Sequence, residues 1–147
     1  MSRLSFITGW PFTLIAASAV GLLTFAPDWL GGIDGRYRPV VTPAILTSPK
    51  PMPPPAFRYT WGATSTKLRD CNYIRVEWFL GTPNGRSELV SSEFLGPPEI
   101  RGVGQLQWDK LAISLYPDDV LRGSFAYVFH KCPFTPWETR TLFYKSP

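Results

Sequence analysis

Charge is missing from a long stretch near the start of this chain: between Leu4 and Pro27 there is no Asp, Glu, Lys, Arg or His. Histidine is scarce throughout, with His130 alone, which excludes metal centres built on several imidazoles. No GxSxG elbow, Walker loop or dinucleotide fingerprint occurs, and Gly102-Val103-Gly104 is too short to cradle a phosphate. Uninterrupted helix-forming sequence is also lacking downstream, because 16 prolines and 12 glycines punctuate the chain. Nor is there a basic footprint for nucleic acid. The net charge is +4, and from Phe57 onward 11 Lys/Arg stand against 9 Asp/Glu, so that part carries 11 − 9 = +2.

What stands in place of charge is a run of 24 residues, LSFITGWPFTLIAASAVGLLTFAP. As a helix it would reach roughly 36 Å, against about 30 Å of hydrocarbon. Trp10 and Trp29 are 19 positions apart, so a helix sets them at the two interfacial belts. Pro11 starts the helix proper or kinks it near the headgroups. The sequence therefore predicts a single transmembrane anchor over residues 1–30. The alternative is a cleaved signal peptide that releases a secreted or periplasmic binding domain. Against it, the small residues Ala16, Ala17, Ser18 and Ala19 fall mid-run, with Leu22, Leu23 and Phe25 beyond them. Arg3 and a short amino tail fit an N-terminus in the cytoplasm and a carboxyl domain outside it.

The cysteines agree with that side. Cys71 and Cys132 make an even count in a domain beyond the membrane, and one disulfide is expected. Between anchor and domain, residues 31–56 read as a collar and a spacer. Gly31, Gly32 and Gly35 are expected to stop helix continuation, and the prolines from Pro39 to Pro55 to enforce an extended standoff. Pro51 to Pro54 also fit a PxxP docking peptide.

From residue 57 to 147 the pattern is that of short strands. Phe57, Tyr59 and Trp61 alternate; so do Ile74, Val76, Trp78 and Leu80 against Tyr73, Arg75 and Glu77. Thr82-Pro83-Asn84-Gly85 supplies a hairpin turn, with a returning strand over Ser87 to Phe94. Val103 to Leu115 and Ser124 to Cys132 alternate again, separated by a helical turn at Pro117-Asp118-Asp119. Thr139 to Tyr144 is the last strand. Six or seven strands with frequent turns predict an all-β fold, a small antiparallel sandwich of immunoglobulin-like architecture behind the anchor. A bridge between the second and penultimate strands would then staple the two sheets.

Chemistry is thin in this domain. His130-x-Cys132 places a histidine and a cysteine on one strand face, as a nucleophile pair or two zinc ligands would require, but oxidation of Cys132 closes both. Asp118 and Asp119 read either as paired carboxylates or as residues at the start of a helical turn. No cofactor, nucleic acid or small-molecule substrate is expected. Phe134, Trp137 and Arg140 are the best local concentration of recognition side chains, forming a contact patch or closing the base of the core.

The stretches Arg69-Asp70-Cys71, Val76-Glu77-Trp78 with Gly81, and His130-Lys131-Cys132 through Trp137-Glu138-Thr139-Arg140-Thr141-Leu142-Phe143-Tyr144 resemble small uncharacterised membrane-anchored proteins of bacteriophages and proteobacterial prophages. The resemblance spans roughly the carboxyl-terminal 80 residues. It implies a phage or bacterial setting and brings no activity with it. The expectation is a non-enzymatic single-pass membrane protein. Its partners would be membrane lipid and a protein in the same membrane or virion assembly.

Overall fold

A computed structural model of the chain describes residues 27–54, 57–96 and 102–147. The expected span from Leu4 therefore lies outside the described residues except for Pro27, and Trp10 lies outside them too. Among the described residues no helix is long and apolar enough to cross a membrane.

The elements run α1 (27–37), β1 (Ile45–Leu46), β2 (Lys50–Pro51), β3 (Tyr59–Lys67), β4 (Asn72–Gly81), β5 (Ser87–Val90), β6 (Ser92–Phe94), β7 (Gly104–Ile113), α2 (Pro117–Gly123), β8 (Ser124–Lys131) and β9 (Glu138–Lys145). One antiparallel sheet has the order β1-β3-β7-β6, with β2 also paired to β3; the other has the order β5-β4-β8-β9. Trp61, Ala63, Leu111 and Ile113 from the first sheet meet Val76, Trp78, Val128 and Phe143 from the second in one buried cluster. This is the expected sandwich.

Trp78 anchors that core at the end beside α2. Its indole stacks on Tyr144 with ring centroids 5.0 Å apart, and its Nε1 donates to Ser124 Oγ at 2.9 Å. Ser124 Oγ in turn donates to the Val120 carbonyl of α2, so the buried indole N–H is satisfied through a short polar relay. Alternation predicts Ile74 on the same inward face as Val76 and Trp78, but Ile74 is 38% exposed. The β4–β8 register shifts between Tyr73 and Arg75, and this bulge turns Ile74 out of the core. A second correction concerns Ser87 to Phe94. It forms two strands, because the chain leaves the second sheet after Val90 and joins the first at Ser92.

Cys71 and Cys132 form a disulfide. Cys71 directly precedes β4 and Cys132 directly follows β8, neighbours in one sheet with Asn72 opposite Lys131. The bridge therefore clamps one end of an adjacent strand pair and does not staple the two sheets as in an immunoglobulin domain. In the chain-entropy account, closing 61 residues contributes about 4 kcal/mol.

The collar and the spacer both differ from expectation. Residues 28 to 37 are helical through all three glycines. Gly31 and Gly35 are one turn apart on the face turned to the open edge of β9. A Cβ on Gly31 would overlap the Glu138 carbonyl oxygen, and one on Gly35 would overlap that of Arg140. Here glycine permits close approach of helix to strand edge, which outweighs its cost within the helix. Past the helix, Val40 and Val41 are buried, and the Ala44 N–H donates to the Phe143 carbonyl at 2.5 Å. Beyond them the proline-rich stretch pairs with β3 through β1 and β2, so it is an edge of the first sheet along that length. Residues 27–44 thus cover the β9 edge, a common protection against stray strand pairing.

Candidate functional site

Chemistry-bearing side chains gather in two places, both formed against α1. The first is inside the sandwich at the disulfide end. Asp34 of α1 accepts from Thr139 Oγ1 at 2.6 Å and from Arg69 at 2.9 Å, and Arg69 also donates to the Arg38 carbonyl at 2.6 Å. His130 is buried in the same region, its ring edge-on to Tyr73 at 6.2 Å. Burial, and then the charges of Lys67 and Arg69, push its pKa down from 6.5 to about 4. Its Nδ1 has no hydrogen-bond partner. Cys132 is oxidised, so a Cys–His nucleophile or a zinc pair on this strand is closed. Among the described residues no cluster of His, Cys, Asp and Glu has the arrangement of a metal site. Asp118 and Asp119 sit in the first turn of α2, where negative charge suits the helix dipole.

The second place is a cleft of about 590 Å³ between α1 and the outer face of the second sheet. Trp29, Ile33 and Arg36 line it from α1, and Tyr127, Arg140 and Leu142 from β8 and β9. The sheet face behind it is an aromatic ladder. Phe79 stacks on Phe125 with centroids 5.0 Å apart, and Phe125 meets Tyr127 edge-on at 5.7 Å. Arg75 lies 3.9 Å over the Phe129 ring, and Arg140 lies 4.8 Å over Tyr127. Arg75 is neutralised by Glu77 at 2.7 Å and Glu138 at 2.5 Å. Arg36 and Arg140 have no carboxylate at ion-pair distance among the described residues. The cleft is therefore apolar with two uncompensated cations.

Two of the three residues expected to form a contact patch pack along α1, and the third projects from the loop before them. Arg140 lies in the cleft. Trp137 is half-buried, near Gly31 of α1, with its indole Nε1 buried and unpartnered. Phe134 is fully exposed, at 105% of its reference area, at the tip of the loop between β8 and β9. The alternation over Ser124 to Cys132 puts Phe125, Tyr127 and Phe129 on one face, so this aromatic face follows from the residues alone. Arg36 and Ile33 were not legible as lining, because the glycines around them read as helix breakers. No family model, curated protein or solved structure matches this chain.

Proposed function

We propose that this chain is a non-enzymatic, single-pass membrane protein whose extracytoplasmic sandwich makes protein contacts within a membrane-bound or virion assembly. The uncharged run before α1 supports the anchor. The disulfide supports an oxidising compartment. The observation that carries the contact role is the cleft under α1. Trp29 and Tyr127 line it among apolar side chains, and Arg36 and Arg140 lie in it with no carboxylate at ion-pair distance among the described residues. Such a surface suits an apolar segment carrying a carboxylate, since burying either arginine without a counter-charge is costly. Anchoring both proteins in one bilayer raises their effective concentration, so an interface of modest area suffices.

The test is charge reversal at Arg140 in the full-length chain. Arg140→Glu is expected to abolish co-purification of the membrane partner while thermal unfolding of the isolated domain stays close to wild type, because Arg140 is exposed. Undiminished recovery of the partner would remove the cleft as the contact site.

A further inference from the structure

The elements place a set of structural marks at one end of the sandwich. Lys67 pairs with Gly104, Asn72 with Lys131, and Lys131 with Glu138, so the end of β3, the starts of β4, β7 and β9 and the end of β8 share one pole. The disulfide closes this pole, and the Phe134 loop projects from it. Helix α1 runs alongside β9 in the same direction. Gly31 abuts Glu138 and Gly35 abuts Arg140, and four helical residues rise about 6 Å against about 7 Å for two strand residues. Residues 27–30 therefore lead out past the disulfide pole.

This arrangement removes the standoff. The uncharged run ends at Pro27, and Gly31 is already packed on β9, so only residues 28–30 intervene. The four steps from Pro27 to Gly31 reach at most about 14 Å even when extended, and in the helix they form they rise only about 6 Å. The polar zone of one leaflet is about 6 Å thick. On the anchor reading proposed above, on which this inference rests, the disulfide pole has no means of standing away from the bilayer.

Side chains at that pole agree. Phe134 and Trp29 are exposed there, at 105% and 67%, and Leu68 and Val103 are exposed beside them. The exposed aromatics of the opposite pole differ, because Phe57 and Tyr116 pack on each other with centroids 4.6 Å apart. Phe134 also has φ +64, a left-handed conformation in which Asn or Gly would be at ease. A wholly solvated ring on a strained backbone serves neither packing nor turn geometry, which points to a role outside the fold. The charged side chains at the pole include Lys67, Arg69 and Lys131 against Asp28, Asp34 and Asp70, with Lys67 paired to Asp70 and Arg69 to Asp34, so no excess of positive charge favours an anionic surface.

We infer that the sandwich rests on the membrane on its disulfide pole, with the Phe134 loop and Trp29 in the lipid headgroup–acyl boundary. Contact is apolar and interfacial, the position preferred by aromatic side chains flanking a span. The cleft under α1 then opens sideways along the membrane, where another anchored chain would meet it.

The experiment uses the full-length, isotope-labelled chain in phosphatidylcholine nanodiscs in which a fraction of the lipid carries a gadolinium headgroup. Relaxation of the Phe134, Leu68 and Val103 amides is expected to be enhanced several-fold over that of Tyr116 and Leu121 at the far pole. Phe134→Asn is expected to leave the melting temperature unchanged or slightly raised, while lowering the enhancement in its loop. If the chain enters the nanodiscs but the two poles relax alike, the resting orientation is overturned and the anchor stands. If the chain elutes apart from the nanodiscs, both fall. A pole that approaches lipid only after a second protein is added also overturns the inference, because Phe134 would then belong to a protein interface.

Discussion

The two poles of the sandwich are closed by different physics. At the far pole, Trp78, Tyr144, Val120 and Ser124 fill the end with apolar volume and a two-step hydrogen-bond relay. At the disulfide pole, closure comes from a covalent bridge, the Asp34–Arg69–Thr139 cluster and a helix laid against a strand edge. One end is stable because water is excluded from it. The other is held by paired polar groups, and two buried nitrogens there have no partner: Trp137 Nε1 and Nδ1 of His130, a buried base near two cations. The far pole should therefore respond mainly to lost volume, and the disulfide pole to pH and to added bulk.

The largest effect is expected at the far pole. Trp78→Ala removes a fully buried indole and the stacking on Tyr144, and should cost about 3 to 5 kcal/mol in urea titration. A loss under about 1 kcal/mol would show that this end does not depend on packing, and the contrast would collapse.

Next comes the titration of His130. Its folded pKa, about 4, is below the unfolded value of 6.5, so between these values the unfolded chain binds a proton that the folded chain refuses. The stabilisation is therefore present above about pH 6.5 and is lost as the pH falls through the folded value. The groups facing the ring are Lys67 and Arg69 from the β3 end and Tyr73 across the strand pair. The loss should amount to about 3 kcal/mol between pH 7 and pH 4. His130→Asn should flatten that part of the pH profile. An unchanged profile in the variant would assign the acid sensitivity to carboxylates elsewhere.

The smallest effect concerns the edge of β9. Gly35→Ala forces a Cβ toward the Arg140 carbonyl, so the helix has to shift outward at a cost of about 1 to 3 kcal/mol. Gly32→Ala on the neighbouring face meets only the end of the flexible Arg140 side chain and should be nearly neutral, or stabilising through helix propensity. If the two variants behave alike, α1 does not need close approach to seal the edge.

Much of the domain was legible from residues. Trp78 with Val76, the hairpin at Thr82-Pro83-Asn84-Gly85, the helical turn at Pro117 and the pairing of Cys71 with Cys132 all follow local pattern and cysteine count. Ile74 was misassigned because a bulge is set by the partner strand, and period two carries no trace of it. The candidate site was half legible. The outward aromatics of β8 follow alternation, but the cleft that Tyr127 lines exists only because a glycine-bearing helix lies beside it. Trp137 and Phe134 looked equivalent between their prolines; which one is half-buried is settled by where α1 lies.

The sequence by itself determined the β content, the inward positions of most strands, the oxidised pair and the uncharged run, because each depends on residue type and spacing along the chain. Tertiary structure alone decided that the bridge lies within one sheet, that β5 and β6 belong to different sheets, and that Gly31 and Gly35 admit a helix to the β9 edge. The physical reason is the same in all three. Each depends on which backbone lies across from a residue, and a glycine that breaks a helix in water is the residue that lets a helix touch a strand's carbonyl oxygens.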